Sequence, residues 1–331
     1  MPIKSLSSAN PTPQSTWTTT PGQTARASTA GSLHGKMPDA LPSNRSVNES
    51  YARPASPIGT TVRASTRYLS TPALQGALDK LPTYTSVASM TTDAAEHLKA
   101  ELAKCDPSKP TVILVGDLHG TAGDLGTAVT ALALAAGISR PMLLVEQPKS
   151  FVGAFDIAYS LGDKFRKQLQ KDGATDNSAV QDVMSKHGFS QTYAIDVCTW
   201  ATAYALRGEV EPFDIDKERS DATMEVREEP MKRIQRESSQ RPGSSTVSQA
   251  GIFHLRALHE DLLNRSDPPN VIALAVVPEK LEFLQPEFKE QDIRRLSYLM
   301  ATNSILKLKQ ADSMINDFPD CVALLRQHSA S

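Results

Sequence analysis

Four stretches of this 331-residue chain place residues able to do chemistry where an apolar run stops. TVILVGDLHGT (111–121) passes from β-branched and aliphatic residues into Gly116, Asp117 and His119. PMLLVEQP (141–148) ends on Glu146, VEPFDID (210–216) on Asp214 and Asp216, and TVSQAGIFH (246–254) on Gly251 and His254. In an open parallel sheet, ligands bind beyond the carboxyl ends of the strands, so a site would be built from these positions. The first and last stretches share one spacing, Gly-x-x-His, each between an apolar strand and a helix. A single histidine in such a place is often structural. Two at matching positions, with carboxylates at the other strand ends, point to function.

The positive end of a helix dipole lowers the pKa of a histidine placed there, so both imidazoles are expected to be neutral. Neutral imidazole is the form that binds a metal or accepts a proton from water. Gathered carboxylates repel one another unless a cation or a shared proton relieves them. Two imidazoles with such carboxylates suit a divalent ion such as Mn, Co, Zn or Fe. His119, Asp117, Glu146 and His254 are the candidate ligands, and an open position on the ion would activate water for hydrolysis. Without a metal, one histidine would serve as general base, oriented by a carboxylate. The candidate catalytic set is His119, Glu146, His254 and Arg227. In REEPMKRIQ, Arg227 shares a helix face with Met231 and Ile234 at i, i+4 and i+7. A guanidinium there either pairs with a strand-end carboxylate or snorkels from the edge of the face. Paired, it would orient that carboxylate or stabilise a developing oxyanion. Asp214 or Asp216 would support the site from behind, and Gly116 and Gly251 are its supporting glycines. His259 follows Leu255 and Leu258 on a helical pattern and reads as packing.

The elements that would position these residues make an α/β fold: a mainly parallel sheet of βαβ units with added helices. VILVGD is apolar throughout, as a strand buried on both faces must be. Leu125, Ala128, Val129, Leu132 and Ala136 follow at helical spacing, and PMLLVEQP is the next buried strand. TVSQAGIF, HLRALHEDLLNR and NVIALAVVP repeat the strand–helix–strand order. A parallel strand–helix–strand unit is right-handed. Upstream, Asp93 and Glu96 resemble a capping box opening the helix DAAEHLKAELAKC. Residues 150–207 read as mainly helical, with Phe155, Tyr159, Phe165 and Trp200 in the core. A charged helix over roughly 217–238 is expected to be interrupted or kinked near Pro230. Residues 279–331 read as helical, with an apolar stripe along DIRRLSYLMATNSILKL.

The domain pattern covers about 85–331. Residues 1–72 differ in kind. They are rich in Ser, Thr and Pro, and through Thr71 they hold two acidic residues (Asp39, Glu49) against Lys4, Lys36 and five arginines. Such a segment buries too little apolar surface to offset its ordering entropy and is expected to be disordered. Its composition suits a leader, either an organellar transit peptide or the unfolded signal of a bacterial type III secretion effector. The formal net charge of −2 gives no reason to expect a nucleic-acid surface. No apolar run approaches the roughly 20 residues that span a bilayer. Cys105, Cys198 and Cys321 are isolated, without CxxC spacing, and read as reduced, buried thiols.

GDLHG is similar to the opening signature of metallophosphoesterases. That family's second strand ends in Gly-Asp and a Gly-Asn-His element follows, and neither occurs here. A longer resemblance is to the superfamily joining TIKI and TraB proteins, ChaN-like haem-binding lipoproteins and erythromycin esterases. Its members carry two GxxH motifs at strand ends and a glutamate ending the strand after the first. Here these are GDLH (116–119), Glu146 in LLVEQP, and GIFH (251–254), with PFDID and REEPM between them in the family's order. The agreement spans roughly residues 110–280. One position departs: several members have Glu directly after the first Gly, where this chain has Asp117. The resemblance implies metal-dependent proteolysis, hydrolysis of esters or lactones, or binding of haem or iron. It also implies a small ester or peptide substrate or a host protein as partner, since related domains occur in bacterial toxins and effectors. The expectation is a secreted effector with a metal-dependent hydrolase domain, delivered into a host cell by type III secretion. The alternative places are an organelle or the bacterial cytoplasm, and the alternative role is a haem- or iron-binding or host-interaction protein.

Overall fold

The computed structural model describes residues 69–117, 126, 129–130, 132–134, 140–147, 152–171, 178–214, 223–240, 245–281, 290–311, 314 and 321–329. His34, His119, Asp216 and residues 1–68 of the leader lie outside them, while the last leader residues, 71 and 72, already belong to the first helix. The fold is α/β, with a seven-stranded, all-parallel sheet among the described residues. In chain order its elements are α1 (Thr71–Asp79), β1 (Thr83–Tyr84), α2 (Val87–Leu102), β2 (Thr111–Asp117), β3 (Met142–Val145), α3 (Val152–Leu169), α4 (Ser178–His187) and α5 (Gln191–Ala205). They continue with β4 (Glu209–Pro212), α6 (Met224–Ser239), β5 (Ser245–Gly251), α7 (Ile252–Leu263), β6 (Asn270–Pro278), α8 (Glu290–Ala301), β7 (Ile305–Gln310) and α9 (Cys321–Ser329). Gly126, Val129, Thr130 and Leu132–Leu134 are helical between β2 and β3.

The strand order is β1-β7-β6-β2-β5-β3-β4. Both expected βαβ units are present and parallel, but in each a third strand separates the pair. β5 lies between β2 and β3, and β2 lies between β5 and β6. Periodicity reveals that a strand is buried on both faces, not which neighbours bury it. Val112–Val115, Leu143, Leu144 and Ala273–Val276 are fully shielded, as an all-parallel sheet covered by helices requires.

The crossing from β5 to β6 carries α7 over β2 and explains Gly116. A Cβ at this position would stand 2.9 Å from Leu255 Cδ2 and 3.4 Å from Ile252 Cα, so the first glycine of GDLH makes room for the helix that begins at GIFH. The two motifs are in contact but not in matching register: Gly116 pairs with Ala250, and Asp117 pairs with Gly251.

Several elements differ from the sequence expectation. Helix α2 starts six residues before Asp93, where Ser86 Oγ accepts the Ser89 N–H at 3.2 Å as its N-cap. Asp93 is inside the helix and accepts from the Tyr84 hydroxyl at 2.9 Å. The folded part also reaches back to α1 and β1, ahead of residue 85. Helix α6 runs unbroken through Pro230. The proline removes one hydrogen bond to the carbonyl of exposed Val226, which water can satisfy. The stripe in 279–331 divides: α8 stops at Ala301, and ILKLKQ forms β7 beside β6. Thr302, Asn303 and Ser304 favour caps and turns over helix interiors, which ends α8 before that stripe does. Phe165 and Trp200 are in the core and Phe155 packs against it, whereas Tyr159 is 63% exposed and sets its ring edge-on to Tyr204. Cys198 is buried as expected, whereas Cys105 is only half-buried, and its partial burial pushes its pKa up, away from the reactive thiolate. No described helix is long and apolar enough to cross a membrane.

The close approach at Gly116 gives a stability prediction. Gly116→Ala should destabilise the fold by about 1–3 kcal/mol, as overpacking in a dense core does. Urea unfolding of the two proteins measures it, and an unchanged midpoint would refute the contact.

Candidate functional site

Because all strands run the same way, β2, β5, β3 and β4 end side by side on one edge, in that spatial order. Backbone pairing then sets the residues just beyond them. The Glu146 N–H donates to the Gln249 carbonyl at 3.2 Å, and the Phe213 N–H donates to the Val145 carbonyl at 3.1 Å. This ladder holds Glu146 between the ends of β5 and β4, with Asp214 following Phe213.

Arg227 enters from the first turn of α6 and joins these ends. Its guanidinium grips Asp214 with two bonds, Nε to Oδ1 at 3.1 Å and Nη2 to Oδ2 at 2.6 Å. Nη2 also donates to Glu146 Oε1. Of the two readings of Arg227, pairing with strand-end carboxylates is the one realised. Such forked, charge-assisted bonds are about twice as strong as neutral ones. The carboxylates are largely shielded, at 8% exposure for Glu146 and 11% for Asp214, while Arg227 is 28% exposed. Glu146 Oε2 accepts the Gly251 N–H at 2.5 Å. Gly251 is the N-cap residue of α7, so this carboxylate also sits on the positive end of the helix dipole.

His254 lies in the first turn of α7 and is 2% exposed. Its Nε2 is 3.4 Å from Glu146 Oε1 and its Nδ1 is 3.3 Å from Glu228 Oε1, both at the long end of hydrogen-bonding range. Burial lowers the His254 pKa, but the bonds to Glu146 and Glu228 outweigh it, and the net shift is upward. That reverses the downward shift expected from the helix dipole. The helix dipole acts alone only where no carboxylate is near, and here two flank the imidazole. Glu228 Oε1 is itself met by Arg295 Nη2 at 3.3 Å, extending the network to α8.

Asp117 is buried at 1% exposure and accepts from Gln249 Nε2 at 3.1 Å. Gly126 closes over it: a Cβ there would lie 2.3 Å from Asp117 Cβ. The structure thus brings together Glu146, Asp214, Arg227, Gly251 and His254, with Gly116 and Asp117 beside them on β2. His119 and Asp216 fall outside the described residues. His259, read as packing, is 2% exposed with its Nδ1 3.0 Å from the Tyr298 hydroxyl.

Among the described residues, no group of three or more His, Cys, Asp or Glu side chains is placed to hold a metal. The donor chemistry agrees: Arg227 supplies the positive charge between Glu146 and Asp214, and both ring nitrogens of His254 face carboxylates. Of the four expected metal ligands, Glu146 and His254 are thus engaged within the protein and His119 lies outside the described residues.

Three members of the network were missed in the sequence. Glu228 is shielded because it shares the inward face of α6 with Met231, Gln235 and Ser238, at i+3, i+7 and i+10. That spacing could have revealed it, but the neighbouring charges of REEPMKR made the helix read as solvated. Gln249 was signalled by polar residues inside an otherwise buried strand, since Thr246 and Ser248 are shielded as well. Arg295 had no such signal.

Fold and site together define an α/β protein with an ionic strand-end site. No family model, no curated protein and no solved structure matches the chain. The likeness to the GxxH superfamily therefore rests on the residues quoted above.

Two predictions follow from the charge network. A folded-state pKa above that of the unfolded chain means that His254 contributes stability in full below about pH 6.5, and that this is lost as pH rises through the folded value. Stability should fall across that upper window, and His254→Gln should flatten the fall. A histidine ring titration by NMR with its midpoint below 6.5 would contradict the upward shift. Arg227→Ala should cost about 3 kcal/mol, because it leaves two shielded carboxylates facing each other. Denaturant unfolding at neutral pH measures this, and a loss near zero would show that the pairing is not formed.

Proposed function

We propose that the protein is a hydrolase of the GxxH kind, cleaving a small ester or peptide bond at the carboxyl ends of β2, β5, β3 and β4. One observation carries this reading: Glu146 is bonded at once to Arg227, which also grips Asp214, to the Gly251 N–H and to His254, so the ends of β3, β4 and β5 share one preorganised ionic network. Preorganised charge at the place where ligands bind in such sheets is the largest contributor to many rate enhancements.

Arg227 is the most exposed member, and its guanidinium is the group a substrate carbonyl would meet. It would stabilise the oxyanion that forms as water adds to the carbonyl carbon. His119, two residues beyond Asp117, is assigned as the general base. It takes a proton from the attacking water and returns it to the alcohol or amine as the C–O or C–N bond breaks. Shielded His254 acts as a positioning residue, fixing Glu146 and through it Arg227. A divalent ion, Mn, Co, Zn or Fe, would enter this reading only through donors additional to the described ones.

The test uses purified full-length protein against an aryl ester, a short peptide and an aryl phosphate, each with and without a chelator. Ester or peptide hydrolysis should fall by roughly 100-fold in His119→Ala and in Arg227→Lys. Absence of both activities, or activity untouched by these substitutions, would sink the assignment. Robust phosphate release would favour the metallophosphoesterase alternative, and a Soret band on haem titration the binding role.

The acid-poor leader supports delivery into a host cell by type III secretion. A chain lacking residues 1–68 should stay inside the bacterium in a secretion assay, and normal export would overturn this part of the proposal.

A further inference from the structure

Residues of α6, α7 and α8 line an open groove of about 700 Å³ that includes Glu228, the partner of His254. Six cationic side chains line it: Lys232, Arg236, Arg256, Arg265, Arg294 and Arg295. Four carboxylates share the lining, those of Glu225, Glu228, Glu260 and Asp261. A seam of ion pairs whose only task was to join three helices would close up and exclude solvent. Here the charged groups surround open space, and cations exceed carboxylates.

The cations are held in two ways. Arg236 and Arg265 converge on Asp261, and Arg295 meets Glu225 and Glu228. The other pairs are local, each within one turn of its own helix, and their carboxylates are exposed. Lys232 bonds Glu229, which is 72% exposed, and Arg294 bonds Glu290, which is 76% exposed. Arg256 bonds Glu260 one turn along its own helix and lies 5.1 Å from the centre of the Tyr298 ring. Exposed pairs of this sort contribute about 0–1 kcal/mol each, so a multiply charged anion entering the groove can replace them at small cost. Glu229 and Glu290 do not line the groove, so Lys232 and Arg294 can swing to a ligand while their carboxylates turn to water.

We propose that this groove binds a small, multiply charged phosphate compound. Five of the six cations are arginines, whose planar forks match phosphate oxygens in pairs. The volume accommodates a few phosphate groups. The interspersed carboxylates oppose an extended phosphodiester backbone, which would have to pass over them. The groove adjoins the strand-end network and shares Glu228 and Arg295 with it.

Inorganic triphosphate is the probe, titrated calorimetrically into the full chain at low ionic strength, with citrate as a carboxylate anion of comparable charge. Triphosphate should bind, citrate should bind at least about tenfold more weakly, and added salt should weaken both. The double variant Lys232→Gln/Arg294→Gln removes the pairs with exposed Glu229 and Glu290, so its unfolding midpoint should stay close to that of the parent, while its affinity for triphosphate drops roughly tenfold. No binding by the parent, equal affinity for citrate, or unchanged affinity in a folded double variant would each overturn the proposal.

Discussion

The guanidinium of Arg227 is the interaction on which the candidate site depends. Without it, Glu146 and Asp214 would be two nearly shielded carboxylates at neighbouring strand ends, an arrangement that repels unless protonated. With it, the carboxylates become fixed acceptors, and one of them is free to reach the start of α7 and the ring of His254. The positive charge comes from a helix whose other inward residues, Met231 and Ile234, anchor it in the core. Hydrophobic burial therefore sets where the charge sits, and the charge sets where the carboxylates point.

Direction is the second constraint. In an all-parallel sheet every strand presents the same end to the same edge, so residues far apart in sequence gather without special loops. β2, β5, β3 and β4 are consecutive in space, and each ends in a residue with chemistry to offer. Glycine then permits the close approach that such crowding requires. Gly116 admits α7 above β2, and Gly126 lets the helical turn after β2 lie on Asp117.

Much of this was legible in the residues. Unbroken apolar runs such as VILVG and NVIALAVV name buried parallel strands, and the polar groups directly after them name the site edge. The pairing of Arg227 with a strand-end carboxylate was one of two readings that its helix position allowed, and the structure selects it. Strand order was not legible, because nothing local in β5 says that it slots between β2 and β3. The protonation preference of His254 was misjudged for a related reason. Its dipole is local and visible in sequence, whereas Glu228 arrives from another helix, hidden among surface-like charges. The strand ILKLKQ was hidden too, since its leucines continue the helical spacing of the preceding segment until a turn at Thr302–Ser304 breaks it.

The interleaved strand order also shapes how the chain must be assembled. β2 and β3 emerge early in synthesis, yet the strand that joins them, β5, is made only after four further elements, α3 to α5 and β4, and the helix α6. Until then the facing edges of β2 and β3 lack their native partner, and exposed strand edges invite pairing with other chains. The sheet is therefore completed late, through contacts distant in sequence, which makes for slow folding and a premium on keeping the nascent chain apart from its neighbours.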